Sequence, residues 1–218
     1  MISMSKPPHK FFERTINNDL IDLRNHLESI QDDLLSNPEK YGISREITSQ
    51  LDKNKGAITQ LGSYYNIFNK ELFGHDGLRD IHHDLREAVK EACIYYGIDY
   101  ESQNYYFNGW FNYDFGSQSG NNPSPLDHPE NFHDHMGGEG APVFHGYYCV
   151  NAEPSSTYYM IDGVTLFENV NKNNRLIVSE TGHPHGIGNW DWEGPRITIA
   201  YDIAPTGDSS IGKNWIKL

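Results

Sequence analysis

Apolar residues recur at alternating spacings of three and four in two segments of the first hundred residues. The first stripe ends before Asn37 and Pro38, which stop a helix, and consists of Leu20, Leu23, Leu27, Ile30 and Leu34. The second ends at Gly97, a common helix terminator, and consists of Leu78, Ile81, Leu85, Ala88, Val89, Ala92 and Tyr96. Both stripes predict amphipathic helices, and we expect them to cover one face of a sheet. Residues 41–76 predict no definite element.

From Tyr105 onward the apolar period changes to two, the spacing of a strand. One predicted face carries Tyr105, Phe107, Phe111, Tyr113 and Phe115, and the other carries Trp110 and Asn112. Further short apolar runs cover residues 143–151, 156–161, 164–167, 175–179 and 196–203. Helices followed by many short strands predict an α+β chain with a β-sandwich or jelly-roll core. We expect residues 1–100 to be a helical extension and residues 101–218 the core of one structural unit.

Charge and cysteine content narrow the classes of partner and the cellular location. The 218 residues carry a formal net charge of −13 and show no basic cluster, so nucleic acid and anionic membrane surfaces are not expected as partners. No apolar run approaches the length of a membrane span, and the first residues lack the apolar segment of a signal peptide. Cys93 and Cys149 fall in a predicted helix and a predicted strand, which argues against a disulfide and for a cytoplasmic protein.

Histidines are concentrated in the strand-rich half of the chain. Six of the eleven lie between residues 128 and 185. In an extended FHDH segment, alternation directs His133 and His135 to one side and Asp134 to the other, so the two rings could hold one metal ion. A later strand of a jelly roll can lie beside an earlier one, and the GHPHG segment could then supply a third ligand, His183 or His185.

The strand that follows, PRITIAYDI, has an apolar face and a polar face. Ile197, Ile199, Tyr201 and Ile203 point one way, and Arg196, Thr198, Ala200 and Asp202 point the other. A guanidinium inside a barrel is costly unless it meets an anion, and its planar fork suits a carboxylate. Arg196 and Thr198 therefore predict a site for an acidic ligand.

The order HDH, HGYYCVN, PSSTYYMIDG, HPHG and PRITIAYDI, over roughly residues 105 to 205, resembles the iron(II)- and 2-oxoglutarate-dependent dioxygenases. The resemblance is to the prolyl-hydroxylase-like branch and to oxygenases of the type common in phage genomes. It implies a double-stranded β-helix, which is a jelly-roll variant, and the cofactors Fe(II) and 2-oxoglutarate. It also implies hydroxylation of a small-molecule or peptidyl substrate, prolyl side chains included, with release of succinate and CO2.

The resemblance implies a role for individual residues of this chain. His133 matches the first metal ligand, His135 the second position and His185 the distal ligand. Arg196, with Thr198 as its helper, matches the anchor of the far 2-oxoglutarate carboxylate. In the HGYYCVN strand, Tyr147 or Tyr148 matches a position that often offers 2-oxoglutarate a further hydroxyl.

His135 departs from the family pattern, which has Asp or Glu at the second ligand position. Three neutral imidazoles leave the ion its full charge, and Asp134, Glu130 or Glu139 could supply the missing anion. A further alternative is His128 with Glu130, which has the required spacing but lies in a Pro-rich loop.

Two other functions remain open at this point. One is a cupin-like metalloenzyme that uses three histidines without 2-oxoglutarate, which His135 favours and Arg196 disfavours. The other is a non-catalytic jelly-roll module, such as a phage structural or sugar-binding protein. In each case the helical face could also serve as the surface of a homodimer.

Overall fold

The computed structural model describes residues 8–51, 59–114, 132–135, 143–188, 190, 194–205 and 214–218. Its α-helices are α1 (Leu20–Ser36), α2 (Arg45–Leu51), α3 (Lys70–Phe73) and α4 (Asp76–Tyr96), with short 3-10 helices at Pro38–Tyr41 and Tyr100–Ser102. Its strands are β1 (Phe12–Thr15), β2 (Tyr105–Asp114), β3 (Phe144–Asn151), β4 (Ser156–Ile161), β5 (Thr165–Val170), β6 (Arg175–Glu180), β7 (His185–Ile187), β8 (Arg196–Pro205) and β9 (Ile216–Lys217). This mixture of helices with antiparallel strands confirms the α+β class.

The strands form two antiparallel sheets. The larger sheet has six strands in the order β1-β6-β3-β8-β2-β9, and the smaller has three in the order β5-β4-β7. In the larger sheet, the pairing of β2 with β8 sets Asp114 opposite Arg196 and Asn112 opposite Thr198. The pairing of β3 with β8 sets His145 opposite Asp202. These pairs bring polar residues from three strands onto one face of the large sheet.

The two long helices cover the opposite face of the large sheet, as their apolar stripes predicted. Asp19 caps α1 by accepting the backbone N–H groups of Ile21 and Asp22, and Gly97 ends α4 in the left-handed conformation at φ 69°. Helix α1 contacts β3, and α4 contacts β1 and β6. One buried cluster joins the helical stripes to the apolar faces of β2, β3, β6 and β8. This packing fixes which face of each strand points away from the helices.

Three short strands were not predicted, because each has too few residues to show a period. β1 has one buried residue in four, and β7 and β9 have three and two residues in all. β1 nevertheless pairs with β6, so the predicted helical extension contributes a strand to the large sheet. Within the stretch 41–76, the described residues contain α2 and α3.

Cys93 and Cys149 are both buried and free. In the part of the chain that the structure describes, none of the helices combines the length and apolar character needed to cross a bilayer.

Candidate metal centre

Three of the predicted ligands, His133, His135 and His185, converge at the edge of the small sheet. Each offers one ring nitrogen, and these atoms all lie within 4.8 Å of one another. The backbone sets this arrangement: His133 N–H donates to the His185 carbonyl at 3.1 Å, and His185 N–H donates to the His133 carbonyl at 2.8 Å. The FHDH segment thus meets β7 through an antiparallel bridge. We call these three residues the histidine trio.

His185 is the best-enclosed member of the trio. It is 9% exposed and lies opposite Tyr159 in the β4-β7 ladder, with the two rings 5.2 Å apart. Burial, and then the neighbouring His133 and His135, lowers the pKa of His185 to about 3. Its Nδ1 lies 3.4 Å from the His183 carbonyl oxygen, so a proton on that nitrogen leaves Nε2 with a free lone pair. A neutral imidazole is the form that binds metal.

Asp202 supplies a carboxylate that the sequence motifs did not assign. Its Oδ1 lies 2.6 Å from Nδ1 of His135, and the side chains of both residues are mostly buried. The two atoms are at ion-pair distance but do not have the geometry of a hydrogen bond, since Oδ1 has no hydrogen-bond partner among the described residues. A carboxylate on the second nitrogen of a ligating histidine orients the ring and raises its basicity. Strand alternation had already placed Asp202 on the polar face of its strand with Arg196, and this was the available signal for its role.

His145 is a fourth histidine of the centre, although it does not belong to the trio. It is 3% exposed, and its ring lies 4.8 Å from that of His135 and 4.6 Å from that of His185, close to parallel with both. Burial and then the adjacent histidines hold its pKa well below the ordinary value. Its Nε2 has no hydrogen-bond partner among the described residues. It therefore packs behind the two rings as a neutral side chain.

The remaining ligand candidates do not join the trio. Asp134 is exposed and lies outside the group of converging atoms. His183 belongs to a different group, with His9 and Glu180. Glu130, Glu139 and His128 lie outside the described residues.

Arg196 occupies the polar face of the large sheet and is 2% exposed. Its Nε donates to the Ser155 hydroxyl at 3.0 Å, whereas its Nη1 has no hydrogen-bond partner among the described residues. Asp114 lies opposite it in the ladder, and burial raises the pKa of Asp114 despite the opposing effect of Arg196. A buried guanidinium with an unused donor is the arrangement that an anionic ligand would satisfy.

Thr198 follows Arg196 on the same face and is 1% exposed. Its hydroxyl accepts a hydrogen bond from Nδ2 of Asn112 at 3.2 Å. That bond uses a lone pair of the oxygen and not the hydroxyl proton.

The two tyrosines proposed from HGYYCVN lie on opposite faces of β3. Tyr147 is buried in the space between the sheets. Burial raises the pKa of Tyr147, and the nearby positive charge of Arg196 opposes that rise. Tyr148 packs in the helix-sheet core, where its hydroxyl bonds to Asn18 and Asn174. Period-two alternation requires this division, so Tyr147 lies on the face of the sheet that carries Arg196 and Tyr148 lies on the opposite face.

Tyr159 was not singled out from the sequence, yet it connects the two parts of the centre. It is fully buried, packs in one cluster with Tyr147, and stacks on His185. Its hydroxyl has no hydrogen-bond partner among the described residues. Tyr159 and Tyr147 thus line the interior between the histidine trio and Arg196.

The residues present fit a divalent transition metal together with an acidic ligand. Neutral imidazoles suit iron, zinc or copper, and the unused donors of Arg196 and Tyr159 suit a carboxylate or a similar oxygen-rich group. No protein-family model matches the chain, and no curated protein matches it in sequence. The geometry of the site is therefore the basis for assigning a function.

Proposed function

We propose that this protein is an Fe(II)- and 2-oxoglutarate-dependent dioxygenase that hydroxylates a small-molecule or peptidyl substrate. The observation that carries the proposal is the buried guanidinium of Arg196, whose Nη1 has no hydrogen-bond partner among the described residues. Arg196 lies on the same face of β8 as Asp202, which is the neighbour of His135. A cluster of metal-binding histidines alone fits many enzymes. The same cluster together with a buried arginine that has an unused donor fits an enzyme whose ligand carries a carboxylate.

The strand order supports a double-stranded β-helix as the finer description of the core. Four neighbours of the large sheet run β2-β8-β3-β6, and the small sheet runs β5-β4-β7, extended past β7 by the bridge to His133. Two facing antiparallel sheets of this kind enclose the space that holds Tyr147 and Tyr159. We therefore propose a double-stranded β-helix for the core. We also propose a cytoplasmic location, with which the two free cysteines are in keeping.

In this proposal His133, His135 and His185 bind Fe(II) through their ring nitrogens. Asp202 holds the ring of His135 and places a negative charge next to three neutral ligands, which offsets part of the charge of the ion. His145 packs against two of the rings and limits their rotation. Asp202 and His145 would thus hold the rings in place for metal binding, although none of the three ligands is a carboxylate.

Arg196 and its neighbours would bind the cosubstrate. The guanidinium donates to the far carboxylate of 2-oxoglutarate, and the hydroxyls of Thr198, Tyr147 and Tyr159 are the additional donors along its length. Burial keeps water from competing for these bonds and strengthens them. Bound iron supplies the oxidative chemistry, in which O2 oxidises 2-oxoglutarate to succinate and CO2 and hydroxylates a C–H bond of the substrate.

The test is an anaerobic titration of metal-free protein with Fe(II) and then with 2-oxoglutarate, followed by visible absorbance. The wild-type protein should develop the weak band of an iron-chelated keto acid. His185→Ala should lose the iron. Arg196→Leu should keep the iron but need about 100-fold more 2-oxoglutarate, the effect of losing a charge-assisted bond of about 3 kcal/mol.

Arg14→Leu is the matched control, because Arg14 is a strand arginine that pairs with Asp84 and Glu91 on the helical side. It should leave the band unchanged. If Arg196→Leu weakened iron and 2-oxoglutarate binding equally, Arg196 would not be the cosubstrate anchor.

A three-histidine metalloenzyme that does not use 2-oxoglutarate is the second candidate. It is favoured by one observation, the absence of a carboxylate from the trio among the described residues. In the same titration it predicts iron binding without a keto-acid band. A protein that bound no iron at all would instead fit a non-catalytic module.

A further inference from the structure

We propose that His9, Glu180 and His183 form a second metal site, separate from the histidine trio. One ligand atom from each of the three lies within 4.8 Å of the other two. The rings of His9 and His183 are 4.3 Å apart between centroids, and Nε2 of His183 lies 3.9 Å from Oε2 of Glu180. The side chains of His183 and Glu180 are mostly buried and that of His9 is partly buried, so an ion bound there would be partly shielded from water.

The pairing of β1 with β6 explains why residues so distant in sequence meet here. Phe12 is opposite Val178 in this antiparallel ladder, so the chain before Phe12 runs along β6 toward its end at Glu180. His9 therefore arrives beside the turn that carries His183. Phe11 packs on His9, at 4.7 Å between ring centroids, and on Tyr159, also at 4.7 Å, which anchors this segment to the protein interior.

Two imidazoles and one carboxylate are a common ligand set for divalent transition metals, including zinc. Metal-ligand bonds of about 2.0–2.1 Å require donor atoms about 3.3 Å apart in a tetrahedral site. The present separations are larger, 3.9 Å between Nε2 of His183 and Oε2 of Glu180 and at most 4.8 Å across the three ligand atoms, so a bound ion would have to draw the side chains together. The carboxylate cancels one unit of the ion's charge, which the histidine trio by itself cannot do.

The position of the cluster indicates what a bound ion would do. His183 and His185 flank Pro184, and each belongs to a different cluster. An ion on His9, Glu180 and His183 would fasten the N-terminal segment to the turn before β7. It would thereby hold in place the strand that carries His185, which gives the second site a structural role.

The experiment is a Zn²⁺ titration of tag-free, metal-stripped protein against a chromophoric chelator, which gives the number of ions bound per chain. The wild-type protein should bind two. His9→Ala and Glu180→Gln should each bind one, His133→Ala should bind one, and the His9→Ala/His133→Ala double variant should bind none. His83→Ala, which removes an exposed histidine outside both clusters, should still bind two.

Thermal unfolding provides the second measurement and guards against misfolded variants. Zn²⁺ should raise the unfolding midpoint of His133→Ala, in which only the second site remains, and should not raise that of the double variant. If His9→Ala kept two ions, or if the wild-type protein bound one ion that His133→Ala abolished, the second site would be wrong. One ion lost in His9→Ala but kept in His133→Ala would instead support the second site and contradict the trio.

Discussion

At Arg196, Tyr159 and His145, buried polar atoms have no hydrogen-bond partner among the described residues. Each unsatisfied buried group of this kind costs about 1–3 kcal/mol. All three residues face the space between the two sheets, and a single enclosed ligand and metal could satisfy several of these atoms together. Asp202, which lies beside His135 in the same space, is the residue whose role is easiest to separate by mutation.

Asp202→Asn should weaken Fe(II) or Zn²⁺ binding at the trio by about 10- to 100-fold, the usual effect of removing the carboxylate behind a ligating histidine. The asparagine keeps the size of the side chain, so folding should be little changed. Competition against a chelator of known affinity measures the loss. Asp134→Asn is the comparison, because Asp134 is the exposed carboxylate between His133 and His135. A larger loss in Asp134→Asn would make Asp134 the source of the missing anion.

At the scale of elements, β3 shows how a single strand serves two environments. His145, Tyr147 and Cys149 face the candidate site, while Tyr148 and Val150 face the helices. Gly146 also belongs to the helix side, where the Tyr201 side chain crosses it and donates from its hydroxyl to the Ile177 carbonyl at 2.8 Å. The missing side chain at residue 146 creates the room for that crossing.

Gly146→Ala should therefore destabilise the protein by about 3 kcal/mol, the upper part of the range for overpacking. A Cβ at residue 146 would lie 1.9 Å from the Ile177 carbonyl oxygen and 2.8 Å from the Tyr201 ring, so the strands would have to separate. Chemical denaturation measures the change in the free energy of unfolding.

The control is Gly163→Ala, where a Cβ would meet nothing within 4 Å and the only cost is the positive φ of 69°. That cost is about 1 kcal/mol. Equal losses in the two variants would contradict the steric role of Gly146.

At the scale of the whole molecule, the helices and the large sheet share one buried core. Leu85 of α4, Phe107 of β2 and Ile199 of β8 belong to the same cluster of buried side chains. β1 adds a strand from the first hundred residues to the sheet of the later ones. Because neither part buries its apolar face alone, we expect residues 1–100 and 101–218 to unfold together.

Leu85→Ala should lower the free energy of unfolding by about 2–5 kcal/mol, as expected for a fully buried leucine. The four tryptophans all lie in the later half of the chain. In the wild-type protein, and again in the variant, helical circular dichroism and tryptophan fluorescence should give one common unfolding midpoint. Leu72→Ala, at a position 48% exposed, should change stability by less than about 0.5 kcal/mol. Separate midpoints for the two signals would show two independent units.

The sequence by itself determined the features that depend on local periodicity. The stripes of α1 and α4, the faces of β2 and β8, and the inward direction of Arg196 and Thr198 all follow from side-chain spacing along one element. The same reasoning placed His133 and His135 on one side of FHDH and left His183 or His185 as their partner; the resemblance selected His185, which the structure brings beside them. The iron and 2-oxoglutarate chemistry drawn from the resemblance stays a prediction.

The tertiary structure decided which distant residues meet. The approach of Asp202 to His135, the packing of His145 against the trio, and the position of Tyr147, rather than Tyr148, on the face that carries Arg196 depend on strand pairing and on which face the helices cover. The meeting of His9 with His183 depends on β1, a strand too short to carry a period. Pairing between strands is a non-local choice, made by the burial of the whole core, and the spacing within any one segment does not contain it.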